Sequence, residues 1–179
     1  MAARTGSSAP SAPPRRKSTP SSTASARRRV DKILVSACLL GAPVRYDGGH
    51  KRVESAFIYQ WRTEGRLIPV CPEEAGGLGT ARPASERRGE RVFAETGEDV
   101  TDAFEKGAAV ALALAQKHGC RFALLKEGSP SCGALQIHDG TFQGNRIAGA
   151  GVTTELLRAN GVRVFSEDQI DALAAALRA

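Results

Sequence analysis

The chain has 179 residues, with 25 basic against 19 acidic side chains and a formal net charge of +6; that length suits one domain with a real hydrophobic core. The charge is unevenly spread. Residues 1–30 carry seven basic side chains (Arg4, Arg15, Arg16, Lys17, Arg27, Arg28, Arg29) and no acid, leaving 18 basic against 19 acidic groups in the rest. The basic excess therefore belongs to the N-terminal stretch, and nucleic-acid binding is not expected of the folded part. No run approaches the ~18 apolar residues of a membrane span.

Residues 1–30 are rich in Ser, Ala, Pro and Thr, with almost no large apolar side chains. Such a segment cannot bury enough surface to offset chain entropy, so it reads as a disordered basic tail. It lacks the apolar stretch of a secretory signal. Its Arg-rich, acid-free composition is weakly like an organelle transit peptide, but its prolines oppose an amphipathic helix. Deletion of residues 1–29 is expected to leave folding and activity intact. A cytoplasmic location follows, with cysteines kept reduced, which favours metal or catalytic use over disulfides.

The folded domain is expected over residues 31–179. Residues 32–37 (KILVSA) read as a buried strand, followed by a Gly- and Pro-containing loop over 39–50. A helix over 53–63 ends at Gly65, and a second strand over 66–70 stops at Cys71. Residues 72–90 read as a long functional loop with one helical turn, and 91–95 as a short strand. Asp99 or Thr101 caps a helix to about His118, with Phe104, Ala108, Ala111, Leu112 and Ala115 at helical spacing and Gly119 as its stop. A third buried strand follows over 121–125. Residues 135–138 and 141–147 read as a hairpin or irregular flap, 153–159 as a helix, and 162–165 as a strand. Ser166 with Gln169 forms a capping box for a last helix over 167–178. Alternating strands and helices imply a three-layer α/β domain with a mostly parallel sheet.

Cys38, Cys71 and Cys132 each follow an expected strand, in the segments SACLLG (36–41), VCPEE (70–74) and SPSCG (129–133). The loops at the carboxyl ends of parallel strands line the ligand crevice of an open α/β sheet, so the three thiols could converge there. Cys120 precedes its strand, which would place it about 17 Å from that edge; it reads as a buried small hydrophobe. Three thiolates suit a soft metal centre. Zinc with a fourth ligand from His50 or His138, and an iron–sulfur cluster with one iron lacking a protein ligand, both fit. The spacings of 33 and 61 residues match no compact finger or ferredoxin motif.

Around these cysteines, Glu73 stands two residues beyond Cys71, where a carboxylate can move protons. Ser129 and Ser131 flank Pro130 beside Cys132 and could donate hydrogen bonds into the site or form a turn. Lys126, Arg82 and Glu86 could bind an anion or, more simply, form solvated ion pairs with one another. Gly76, Gly77 and Gly79 match no nucleotide-binding pattern.

Taken together, the segments SACLLGAPVRYDGGHK (36–51), CPEEAGGL (71–78), ARPASE (81–86), GEDVTDAFEKGA (97–108), LKEGSPSCG (125–133), DGTF (139–142), GAGVTTELL (149–157) and GVRVFSE (161–167) resemble the family called domain of unknown function 523, which includes the thiouracil desulfidases. The resemblance covers about residues 32–170. It implies a Rossmann-like domain with a four-iron four-sulfur (4Fe–4S) cluster on Cys38, Cys71 and Cys132, Cys120 matching no family cysteine. It further implies non-redox replacement of a thiocarbonyl sulfur by water, with the proton-transfer glutamate at Glu73 and an assisting serine at Ser129. The stretch GTARPASE (79–86) departs from relatives that carry more prolines there.

The expectation is therefore an iron–sulfur-dependent desulfuration of a small thiolated heterocycle such as a thiopyrimidine, with the 41–50 loop and the 139–147 flap excluding water and oxygen. Two alternatives stand beside it: a non-enzymatic iron–sulfur or redox-sensing module, and a metal-free persulfide sulfur carrier. The substrate is a small molecule in the first reading, and the oligomeric state has no signature in the sequence.

Overall fold

Apolar runs and helical patches alternate along the chain, and a computed structural model, describing residues 2–3 and 30–179, turns that alternation into a parallel sheet between two helical layers. The tail assigned to residues 1–30 falls, at 1 and 4–29, outside the described residues. In chain order the elements are β1 (Ile33–Ser36), α1 (Ala56–Thr63), β2 (Leu67–Val70), α2 (Pro72–Ala75), β3 (Ser85–Arg88), β4 (Arg91–Ala94), α3 (Thr101–His118), β5 (Phe122–Leu125), β6 (Gln136–His138), β7 (Arg146–Ala148), α4 (Val152–Ala159), β8 (Arg163–Ser166) and α5 (Ile170–Ala176). The main sheet runs β2-β1-β5-β8, all parallel.

Side-chain alternation along the strands separates two apolar clusters, one on each face. Ile33, Val35, Phe122 and Leu124 pack with Ile58 and Trp61 of α1 and Leu173 and Ala174 of α5. Leu34, Ala123 and Leu125 pack with Ala111 and Ala115 of α3 and Leu157 of α4. This is the three-layer arrangement expected of a Rossmann-like α/β domain. Both faces of the sheet are covered, which is why its strands read as continuous apolar runs rather than alternating ones.

The helices begin and end where local chemistry allows. Ser55 Oγ accepts the Phe57 N–H at 3.2 Å, which moves the start of α1 three residues beyond the expected position, to Ala56. The N-cap of α3 is Val100, without a side-chain cap, rather than the expected Asp99 or Thr101; Asp99 Oδ1 accepts the Thr101 N–H at 3.0 Å from the turn before it, and Gly119, at φ 63°, closes the helix. Gln169 reaches back to the Ser166 N–H at 3.1 Å, but the turn it starts is 3-10 (Glu167–Gln169) before α5 takes over.

Residues 72–90 hold the expected helical turn as α2 but depart from the loop expected of the rest, which forms β3, paired antiparallel with β4. The sequence of β3, SERR, has no apolar member, and its one buried side chain is Glu86; the buried apolar side chains of this two-stranded ribbon, Val92 and Ala94, come from β4. The residues expected to form a flap do so as the β6–β7 hairpin.

Chain direction places the crevice. From β1 the chain crosses to β2 on one side, then returns through α3 to β5 on the other side of β1. The boundary between β1 and β5 is thus a topological switch point, where ligands of open α/β sheets bind. The four-residue helix α2, which follows β2 directly, is seated on α3 by a glycine pair. A Cβ at Gly76 would lie 2.0 Å from Ala103 O, and one at Gly107 would lie 1.9 Å from Pro72 O. Only hydrogen fits at either position, so the Cys71–Glu73 segment is anchored by backbone-to-backbone contact. Among the described residues no helix is long and apolar enough to cross a membrane.

Candidate functional site

Cys38 lies in the 3-10 turn Ala37–Leu40 that follows β1, Cys71 directly after β2, and Cys132 in the loop after β5. All three line one cavity of about 670 Å³ at the carboxyl ends of these strands, and all are free thiols. Cys120 sits in the apolar cluster on the α3 face and does not border the cavity. Burial pushes the Cys38 thiol up to about 11, with the neighbouring Cys71 adding to the shift. Burial likewise raises Cys71, against the Glu74 N–H that favours its thiolate, and raises Cys132 most of all, against a hydrogen bond from Ser36. Each sulfur is close enough to the others to perturb it, and a thiolate there needs a cationic partner to offset its desolvation.

The two kinds of centre that three cysteines could serve differ in the sulfur spacing they require. Among the described residues no three His, Cys, Asp or Glu side chains are gathered tightly enough to hold one metal ion. A single zinc with bonds of about 2.3 Å draws its sulfurs to within about 4 Å of one another, whereas a cubane cluster keeps its cysteine sulfurs roughly 6–7 Å apart. Of the histidines considered as a fourth ligand, His138 borders the cavity and His50 does not.

Glu73 occupies the first turn of α2 and its carboxylate faces the cavity. Arg82 Nε donates to Glu73 Oε2 at 3.0 Å, and Arg82 Nη2 donates to the same oxygen. The Arg82 side chain is itself fixed by Gly79 O at 2.8 Å, and its backbone N–H donates to Tyr46 O. Both members of the pair are largely buried, at 9% and 17% side-chain exposure, so it is a clamp inside the cavity wall rather than a solvated ion pair. The pairing expected among Lys126, Arg82 and Glu86 is not found. Arg82 holds Glu73, Lys126 holds Glu167, and Glu86 turns towards the flap.

Ser129 forms a turn and meets Glu73. Its Oγ lies 3.4 Å from Glu73 Oε1 and accepts the N–H groups of Ser131 and Cys132, each at 3.1 Å. Ser131 does not enter the cavity. It is fully buried, with Oγ 2.8 Å from Thr153 Oγ1, because the loop after β5 docks on the start of α4. There Val152 N–H donates to Pro130 O at 2.9 Å, Thr153 N–H to Ser131 O at 2.9 Å, and Thr154 Oγ1 to Cys132 O at 2.9 Å. The loop carbonyls satisfy amides that the first turn of a helix leaves open.

Two residues that the sequence did not single out build the site. Ser36, the last residue of β1, accepts the Lys126 N–H at 3.0 Å, tying β1 to β5 at the switch point. Glu127, 7% exposed, accepts backbone N–H groups from Leu135 at 3.1 Å and Gln136 at 2.8 Å, with Gly128 at 3.3 Å. Its own N–H donates to Glu167 Oε2 at 2.6 Å. A buried carboxylate thus closes the loop that carries Cys132. Glu127→Ala is expected to lower stability by about 2–4 kcal/mol, since it strands several buried donors; thermal melting of the metal-free chain measures this. No composition or spacing signal announces such a residue.

The chain has relatives of known sequence and structure. Residues 33–169 match the model of the family described as 2-thiouracil desulfurase. The chain is 40% identical over 149 residues to the uncharacterized protein YbbK of Bacillus subtilis (strain 168), covering 78% of this chain and 97% of that one. Among solved structures it superimposes on a 4Fe–4S-dependent thiouracil desulfidase, TudS, with a TM-score of 0.82 and 56% identity, covering 83% of this chain and 98% of that one. The chain belongs to the 2-thiouracil desulfurase family.

Proposed function

We propose that this protein removes sulfur from a small thiolated heterocycle, such as a thiopyrimidine, by hydrolysis at a 4Fe–4S cluster held by Cys38, Cys71 and Cys132. The observation that carries this reading is the meeting of three strand-end thiols with the Glu73–Ser129 contact in one cavity. The donor set fits the group: three soft thiol ligands share one cavity at the carboxyl ends of β1, β2 and β5. Bound there, such a cluster supplies one iron without a protein ligand, a Lewis acid towards the thiocarbonyl sulfur.

The chain's own residues do the rest. The overall change is C=S plus water giving C=O plus hydrogen sulfide, with no electrons exchanged. Glu73 receives the proton of the water that adds at the ring carbon and returns it to the departing sulfur. Arg82 holds the Glu73 carboxylate at the cavity wall, so that little reorientation is needed at the moment of transfer. Ser129, held in place by the Ser131 and Cys132 amides, orients substrate beside Glu73. Val44, Arg45 and Tyr46 of the 41–50 loop, with Gly144 and Arg146 of the flap, line the same cavity and restrict access of bulk water.

The experiment is anaerobic reconstitution with iron and sulfide, followed by incubation with 2-thiouracil and 4-thiouracil. Sulfide and the oxo-pyrimidine should appear together, without added reductant, and only after reconstitution. Turnover by the metal-free chain would favour a persulfide route instead.

A further inference from the structure

One wall of the cavity carries a carboxylate–imidazole pair, Glu86 and His138, that the chemistry above leaves unused. Glu86 of β3 is 7% exposed. Its Oε2 accepts the N–H of Phe142 at 2.9 Å, and Phe142 is held at φ 59°, a left-handed conformation that a bulky residue rarely adopts. The other carboxylate oxygen, Oε1, faces His138 Nδ1 of β6 at 3.8 Å. That nitrogen is buried and has no hydrogen-bond partner among the described residues. A gap of 3.8 Å is too long for a hydrogen bond, but a shift of under an ångström closes it.

The side chain of His138 is nevertheless 30% exposed. Because Nδ1 is shut in, the exposed edge comprises the other ring atoms, and His138 borders the cavity shared by the three cysteines and Glu73. A carboxylate only accepts, so Nδ1 must be the donor towards Glu86, and in a neutral imidazole the second nitrogen, Nε2, is then a bare acceptor. We propose that His138 contacts the substrate through Nε2, accepting a ring N–H of the heterocycle, and that Glu86 is the positioning residue that fixes its tautomer. This rests on the desulfurase reading for the identity of the ligand, though not for the tautomer itself. It makes the site selective for thiolated rings that retain a free N–H. The hydrogen bond from Phe142 ties Glu86 to the flap, so the same carboxylate links the flap to the group that senses the substrate.

Two measurements test this. The chain has three histidines, so long-range proton–nitrogen NMR of the reduced metal-free protein at about pH 8, above the ordinary histidine range, can resolve each tautomer. His138 should carry its proton on Nδ1 and lose that preference in Glu86→Leu. A proton on Nε2, or on both nitrogens, would overturn the pairing whatever the protein turns over. In the reconstituted enzyme, His138→Leu should raise KM for 2-thiouracil about 10-fold, the worth of one hydrogen bond, with kcat changed less and the cluster absorbance intact. His138→Gln, whose amide oxygen can replace Nε2, should recover most of the loss. An unchanged KM in His138→Leu would overturn the contact. Absence of turnover by the unsubstituted enzyme would instead count against the desulfurase reading and leave the tautomer measurement to decide the pair.

Discussion

Cys132→Ser is expected to lose iron and turnover together. Serine is nearly the size of cysteine, so the loop after β5 should keep its place: its anchors are the Ser131–Thr153 contact, the Cys132 carbonyl bonded by Thr154 and the amides gathered by Glu127, none of which involves the sulfur. A hydroxyl is a far poorer ligand for iron than a thiolate, and with two cysteines left the cluster has too few anchors. The apo melting temperature should change little, which separates loss of a ligand from loss of the fold. Iron content, the broad absorbance near about 400 nm and desulfuration should all fall to background. Cys120→Ser should leave iron content and turnover unchanged, because Cys120 does not border the cavity that the other three cysteines share. Full iron occupancy in Cys132→Ser would mean that the centre is held elsewhere.

The second large effect belongs to Glu73. Glutamine matches its size, its amide oxygen can accept from Arg82 and its NH2 can donate to Ser129 Oγ, but it cannot take up a proton. Glu73→Gln should therefore retain the cluster and lose roughly 10²-fold or more in kcat, the usual worth of a positioned acid–base group. Arg82→Lys gives a graded companion. Lysine is a single point charge without the planar fork that grips the carboxylate from two nitrogens and reaches Gly79 O as well, so a smaller loss with intact iron is expected. Full activity in Glu73→Gln would reduce the carboxylate to a structural partner of Arg82 and would favour the sensor alternative. Loss of iron would make Glu73 part of the metal site.

The parallel core was legible because β1 and β5 are buried on both faces and so read as unbroken apolar runs, ILVS and FALL. The three cysteines were legible for a related reason: each falls just past such a run, and the carboxyl ends of parallel strands share one edge. Cys120 separated from them by the same argument. What the sequence did not disclose depends on contacts between distant segments. The strand SERR carries no apolar alternation, because its backbone pairs with β4 alone and its buried member is a carboxylate. The partners of Arg82, Lys126 and Glu86 are decided by which loops meet over the crevice, and charge alone could not choose between neighbours. Ser131 and Ser129 look equivalent around Pro130, yet one faces α4 and the other faces Glu73, a distinction set by how the loop docks on Thr153 and Thr154. Glu127 had no signature at all, since a lone glutamate in a Gly- and Ser-rich loop is ordinarily solvated.

The most direct test of hydrolytic, cluster-dependent desulfuration follows the oxygen atom. Anaerobically reconstituted protein is mixed with 2-thiouracil in oxygen-18 water, with no electron donor, and both the pyrimidine and the sulfide are measured. The account predicts one labelled oxygen in each product molecule and one sulfide released with it, both absent without the cluster. Product lacking the label, sulfide release that depends on an added reductant, or equal turnover by the iron-free chain would contradict it.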